Sequence, residues 1–143
     1  MDLAHEELWK QYQHTHFLMT QKLARESEFA IITAHNPLGE VLSSSQNRLL
    51  DRKLQICIES LSVPYRIVLG CSTDRSHIEK SWVVMVDQRT AITLGKQFNQ
   101  NAIFYVKRDL LWLIPCWYQA DAVSLGSFAA RCEQVNELPD FDL

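Results

Sequence analysis

This chain lacks the short signatures of the commonest nucleotide, metalloprotease and hydrolase chemistries. It contains no GxGxxG, no GxxxxGK(S/T), no HExxH and no GxSxG, so dinucleotide, P-loop, zinc-protease and serine-hydrolase functions are each without their motif. No apolar run reaches the roughly 18 residues of a membrane span. The opening MDLAHEELWK carries acids and lacks the basic start and apolar core of a secretory leader, so a cytoplasmic location is expected. Cys57, Cys71, Cys116 and Cys132 include no close pair and no CxxC, which removes zinc-ribbon and thioredoxin-like readings. Each sits among apolar neighbours, as reduced, buried thiols do. Excess positive charge is missing too. A net charge of -3 and a pI near 5.9 argue against duplex DNA, which calls for a positive face to displace phosphate counterions. No repeat, low-complexity tract or linker interrupts the chain.

What is present suits one globular domain, residues 1–143. At 47% hydrophobic and 22% charged over 143 residues, the chain can bury a core without metals or disulfides. Residues 3–25 read as a helix with Leu8, Tyr12, Met19 and Leu23 along one stripe. His14-Thr15-His16 invites a metal, but residues two apart diverge on a helix, so none is expected. Phe29–His35 is apolar on both faces and reads as a central strand, stopped by Asn36-Pro37 with Gly39 free to take a positive φ. A helix over 44–62 follows. Ser43 and Gln46 form its capping box, Leu50, Leu54, Cys57, Ile58 and Leu61 its inner stripe, and Arg48, Asp51 and Arg52 its wet side. Strands are expected at 65–71, 81–87, 102–107 and 110–116, and a helix capped by Asp87 over 88–98. Leu125, Phe128, Ala129 and Cys132 then suggest a short helix over 124–133, before the acidic tail NELPDFDL.

Between the terminal helices the order is β-α-β-β-α-β-β over a core of about 29–116. This predicts an α+β fold, ferredoxin-like (split βαβ) or a similar mixed, mainly antiparallel sheet of four to five strands, with added N- and C-terminal helices. Such a topology brings His35 and Asn36 beside Gln100 and Asn101 and delivers the start of the second helix to the same rim. The loop STDRSHIEK is expected on the opposite edge.

That rim is rich in amides and hydroxyls, which donate and accept, and it includes a helix N-terminus. Asn36, Ser44, Asn47, Gln100 and Asn101 are therefore candidate ligand-binding residues for a small polar or anionic molecule, although turns and caps use the same residue types. Glu79, with Asp74 and His77 near in sequence, is a candidate general base. A nucleophilic Cys71 or Cys116 would need His35 or His77 in reach, and no motif supports it. The central strands are aliphatic apart from Trp82, which argues against stacking on RNA bases. No cofactor and no metal are implied.

The segment FAIITAHNPLG with Asn47, the Glu79-Lys80-Ser81 element and FNQNAIFYV resemble DUF3293, an uncharacterised bacterial family. The matching positions are Thr33, Ala34, Asn36, Pro37, Asn47, Phe98, Gln100, Asn101 and Ala102, while His35 stands where an aromatic is common. The resemblance implies that Asn36, Asn47, Glu79, Gln100 and Asn101 act as a set, and it implies no activity. Three functions are thus expected in order: a small-ligand binding module, an enzyme using Glu79, and a protein-interaction or self-associating domain presenting Trp112 and Trp117 or an edge strand.

Overall fold

The computed structural model describes residues 2–140. In order the elements are α1 (Leu3–Tyr12), β1 (His16–Met19), β2 (Glu28–Ile32), α2 (Ser44–Ser60), β3 (Tyr65–Cys71), β4 (Ile78–Val84), α3 (Gln88–Gln97), β5 (Ala102–Lys107), β6 (Leu110–Pro115), β7 (Val123–Ser127) and β8 (Cys132–Gln134). Short 3-10 turns occupy Pro37–Gly39 and Ala129–Arg131. All the strands join one eight-stranded sheet in the order β7-β6-β5-β2-β4-β3-β1-β8. β1 pairs with β8 in parallel, and every other pairing is antiparallel.

A ferredoxin-like sheet of four or five strands is therefore not what this chain forms. The difference lies at its two ends. The helix expected over 3–25 stops at Tyr12, because Phe17, Leu18 and Met19 are all buried and a helix cannot bury three successive side chains in one core. A strand can, when both faces are covered. Phe17 and Met19 point into one cluster and Leu18 into another. At the C-terminus the expected helix over 124–133 is replaced by β7, a 3-10 turn and β8. Leu125, Phe128 and Cys132 do pack inward together, but Gly126 at φ +82 breaks any helix between them. Of the acidic tail, residues 141–143 lie outside the described residues.

These end strands close the second face of the sheet. β1 and β5 are separated by four pairings, about 19 Å in a flat sheet, yet the Phe17 and Phe104 rings meet at 5.2 Å. Phe128 touches both Phe17 and Phe29 at 5.3 Å. The sheet is thus curled around an aromatic centre. Its convex face carries α2 and α3 over Ala30, Ile32, Trp82, Val84, Ile103 and Tyr105.

α2 has the expected cap, with Ser43 Oγ accepting from Gln46 N and the Gln46 side chain accepting from Ser43 N. Its fully inward stripe is Asn47, Asp51, Leu54 and Ile58. Asp51 is consequently not on the wet side, and Leu61 is exposed at the helix end. The inner half of the stripe is apolar, and the half nearest the Asn36 turn is polar.

Candidate functional site

The polar rim forms where β2 ends, β5 begins and α2 begins. Asn36 takes the left-handed conformation, φ +50, which asparagine tolerates better than most residues. Its N–H donates to Asn47 Oδ1 at 2.9 Å, and its own Oδ1 accepts from Asn47 Nδ2 at 2.9 Å and from Leu42 N at 3.0 Å. The opposing turn is fastened by Leu38 N donating to Asn99 O at 2.7 Å. Gln100 Nε2 donates to the His35 and Phe98 carbonyls at 3.2 and 3.3 Å. Asn36, Asn47, Gln100 and Asn101 are thereby brought together at one end of the sheet. Ser44 opens α2 beside them, one residue past its cap.

Much of this amide set is spent on the fold. Asn47, Gln100 and Asn101 are only 8, 6 and 3% exposed, and Asn36 and Asn47 satisfy one another. Their work is to tie two turns and a helix start to the sheet, which buried amides do at a net gain only when fully paired.

Asn101 is the amide of this knot that bonds to α1. Its Nδ2 donates to Tyr12 Oη at 3.3 Å, and α1 lies over it. Gly39, at φ +78, permits that approach, because a Cβ there would stand 2.6 Å from Leu8 Cδ1 and 3.4 Å from Asn101 Nδ2. Tyr118 completes the cluster, its ring packed edge-on against His5 and Trp9 at 5.2 and 5.7 Å. Its hydroxyl is buried close enough to Tyr12 and Asn101 for both to act on its pKa, yet it completes a well-formed hydrogen bond with neither and is the buried side-chain polar atom without a partner among the described residues. Burial raises the pKa of both phenols, Tyr118 the more strongly, so both stay protonated donors at neutral pH.

Glu79 belongs to this end of the sheet, not to the opposite edge. β2 and β4 are antiparallel, with Ile32 facing Trp82, so the end of β2 meets the start of β4. Thr33 Oγ1 donates to Lys80 O at 2.8 Å and pins the two. Burial leads in raising the Tyr12 pKa, the hydrogen bond from Asn101 opposes the rise, and the Glu79 carboxylate adds to it. This carboxylate also stands 3.8 Å from His77 Nε2, an ion-pair distance, and holds the His77 pKa above its ordinary value of 6.5. Asp74 turns instead into its own loop, accepting from Ser72 and Ser76; the Ser76 N–H leads in lowering its pKa to about 2.

The convex face holds a second polar group. Asp51 accepts from Lys80 Nζ at 2.7 Å and from Trp82 Nε1 at 2.8 Å, and Lys80 Nζ lies 4.6 Å from the Trp82 ring centroid. Among the described residues no three His, Cys, Asp or Glu side chains gather as a metal set. His14 and His16 are not on a helix, since α1 ends before them and His16 starts β1. Burial raises the pKa of Cys71 and pushes Cys116 up to about 11, so neither thiol is an activated nucleophile. Trp112 packs against the convex core, whereas Trp117 is exposed beneath Lys96. No helix among the described residues is long and apolar enough to cross a membrane.

A family model described as protein of unknown function (DUF3293) matches residues 32–103. The chain belongs to the DUF3293 family. No curated protein and no solved structure matches it. The DUF3293 match spans the amide knot, Asp51 and Glu79-Lys80-Ser81, while Tyr12 and Tyr118 fall outside it on either side. Sequence reasoning missed Asp51, Lys80, Tyr12 and Tyr118. Asp51 had a signal, its i+4 spacing from Asn47, but it was outweighed by the charged neighbours Arg48 and Arg52. Tyr12 and Tyr118 had none, because only the closed fold sets the two ends of the chain beside Asn101.

Proposed function

We propose that this DUF3293 chain is a binding module for a small polar ligand, held at the rim between α1 and the sheet by Tyr12, Asn101 and Tyr118, with Glu79 at its margin. The observation that carries this is the Tyr118 hydroxyl, a protonated donor removed from solvent and left unpaired by the described residues. Such a group costs stability, and folds keep it where something else uses it. Asn36, Asn47 and Gln100 serve as the frame that holds Asn101 in place. The site offers two phenolic hydroxyls, a carboxamide and a carboxylate, which suits a ligand with both donors and acceptors better than a bare anion. α1 covers the site without a single fully buried residue of its own, so it can lift at modest cost.

The test is native mass spectrometry of freshly purified protein, followed by thermal-shift screening against polar metabolites, with wild type and Tyr118→Phe side by side. A retained or stabilising molecule that the variant no longer holds is the expected result. A folded wild type that neither carries nor responds to any such molecule, or a variant that binds equally well, overturns the proposal. A second reading, enzymatic use of Glu79 as a base, draws on its proximity to Tyr12. It requires that Glu79→Gln abolish turnover of whatever ligand is found while leaving its binding intact.

A further inference from the structure

A different cavity, of about 170 Å³, opens between β1, the loop 72–77 and β8, lined by His16, Ser72, Arg75, Arg131 and Glu133 among others. Two separate devices aim its arginines. Arg75 sits at φ +59, a left-handed conformation that a long side chain adopts only under constraint. The constraint is the Asp74 carboxylate, which accepts from Ser72 Oγ, Ser76 N and Ser76 Oγ, together with Arg75 N donating to Ser72 O at 3.0 Å. Arg131 ends the 3-10 turn that Asp109 holds, accepting from Ala129 N at 2.9 Å and Ser127 Oγ at 2.6 Å. Arg131 Nη1 donates to the Gln13 and Thr15 carbonyls at 2.6 and 3.3 Å. Its guanidinium therefore faces no carboxylate among the described residues, and its Nε and Nη2 donors are uncommitted. Among the described residues Arg75 has one acidic partner, Glu133. The lining holds two guanidinium groups against one carboxylate, an excess of positive charge in a chain whose net charge is -3.

We propose that this cavity is a binding site for a small oxyanion, phosphate or a phosphomonoester. Arg131 serves as the standing cation, and Arg75 is released to the ligand as Glu133 turns away. Guanidinium donors match the tetrahedral oxyanion in geometry as well as charge. Ser72 and His16 border the same space. The site is independent of the rim under α1, and it stands or falls separately.

Inorganic phosphate titrated into the full chain at low ionic strength, followed by calorimetry and by amide shifts of residues 72–77 and 131–133, tests it. Saturable binding is expected, tightened about fivefold by Glu133→Gln and weakened about tenfold by Arg75→Gln, as loss of one competing or one contributing charge predicts. Arg131→Lys, which keeps the charge but not the fork, should also weaken binding while the circular dichroism stays unchanged. Phenyl phosphate binding as tightly as inorganic phosphate identifies the ligand as a phosphomonoester head group, and inorganic phosphate binding alone identifies the free anion. Absence of saturation for both, or a Glu133→Gln variant that binds no tighter, overturns the proposal.

Discussion

Replacing Tyr118 by Phe should make this protein more stable. Tyrosine-to-phenylalanine changes usually remove a hydrogen bond and cost about 0.5–1.5 kcal/mol. Here the hydroxyl is buried without a partner among the described residues, and a buried donor left unmade carries a penalty of about 1–3 kcal/mol. Deleting it recovers that penalty. The ring keeps its edge-on contacts with His5 and Trp9, so nothing is lost in packing. The expected gain is about 1–2 kcal/mol, or about 3–6 °C in Tm for a chain near this size. Urea unfolding of both proteins checks it: the midpoint should rise with the slope unchanged, since the area exposed on unfolding is the same. A loss of about 1 kcal/mol instead would mean that the hydroxyl is paired in solution, and the basis for a ligand site at Tyr118 would disappear. A variant that is more stable yet no longer holds a ligand would separate binding from folding, the trade-off expected where a fold retains an unfavourable group for use.

Other outcomes follow from the same contacts. Asp51→Ala strips the partner from Lys80 and Trp82 in a part-buried site, and should lower unfolding stability by about 3 kcal/mol in urea titration. Asn47→Ala removes the acceptor for Asn36 N–H and the donor to Asn36 Oδ1; a loss of about 2–3 kcal/mol is expected, with hydrogen exchange quickening first at the Asn36–Leu42 turn. The raised His77 pKa contributes stability that is fully present below the unfolded value near 6.5 and lost as pH rises through the folded value. In Glu79→Gln, NMR titration should bring His77 down to its ordinary 6.5 or below, since burial alone lowers it, and the difference in stability from wild type should fade above that pH window.

The central strands and the two helices over them were legible because their signals are local. Ala30 to Ile32 and Trp82 to Val84 are apolar on both faces, Ser43 and Gln46 cap α2, and Asp87 caps α3. The meeting of Asn36 with Asn101 followed from antiparallel order alone. The same logic was misapplied to Glu79: an antiparallel partner starts where its neighbour ends, so Glu79 at the start of β4 lies at the Asn36 end of the sheet. At the chain ends, local signals pointed the wrong way. Phe17-Leu18-Met19 is too short to show a period, and Leu125, Phe128 and Cys132 carry helical spacing while lying on two strands and a turn. Their conformation is chosen by the aromatic centre they fill, which exists only once the sheet has curled.

By itself, then, the sequence determined the inner strands, the caps and the amide frame, because backbone preference and side-chain period act over a few residues. Tertiary structure decided the eight-stranded closure, the burial of Asp51 against Lys80 and Trp82, and the placing of Tyr12, Tyr118, Arg75 and Arg131. Those depend on contacts between residues 29 to 118 positions apart, whose energies appear only when distant segments share one dry interior.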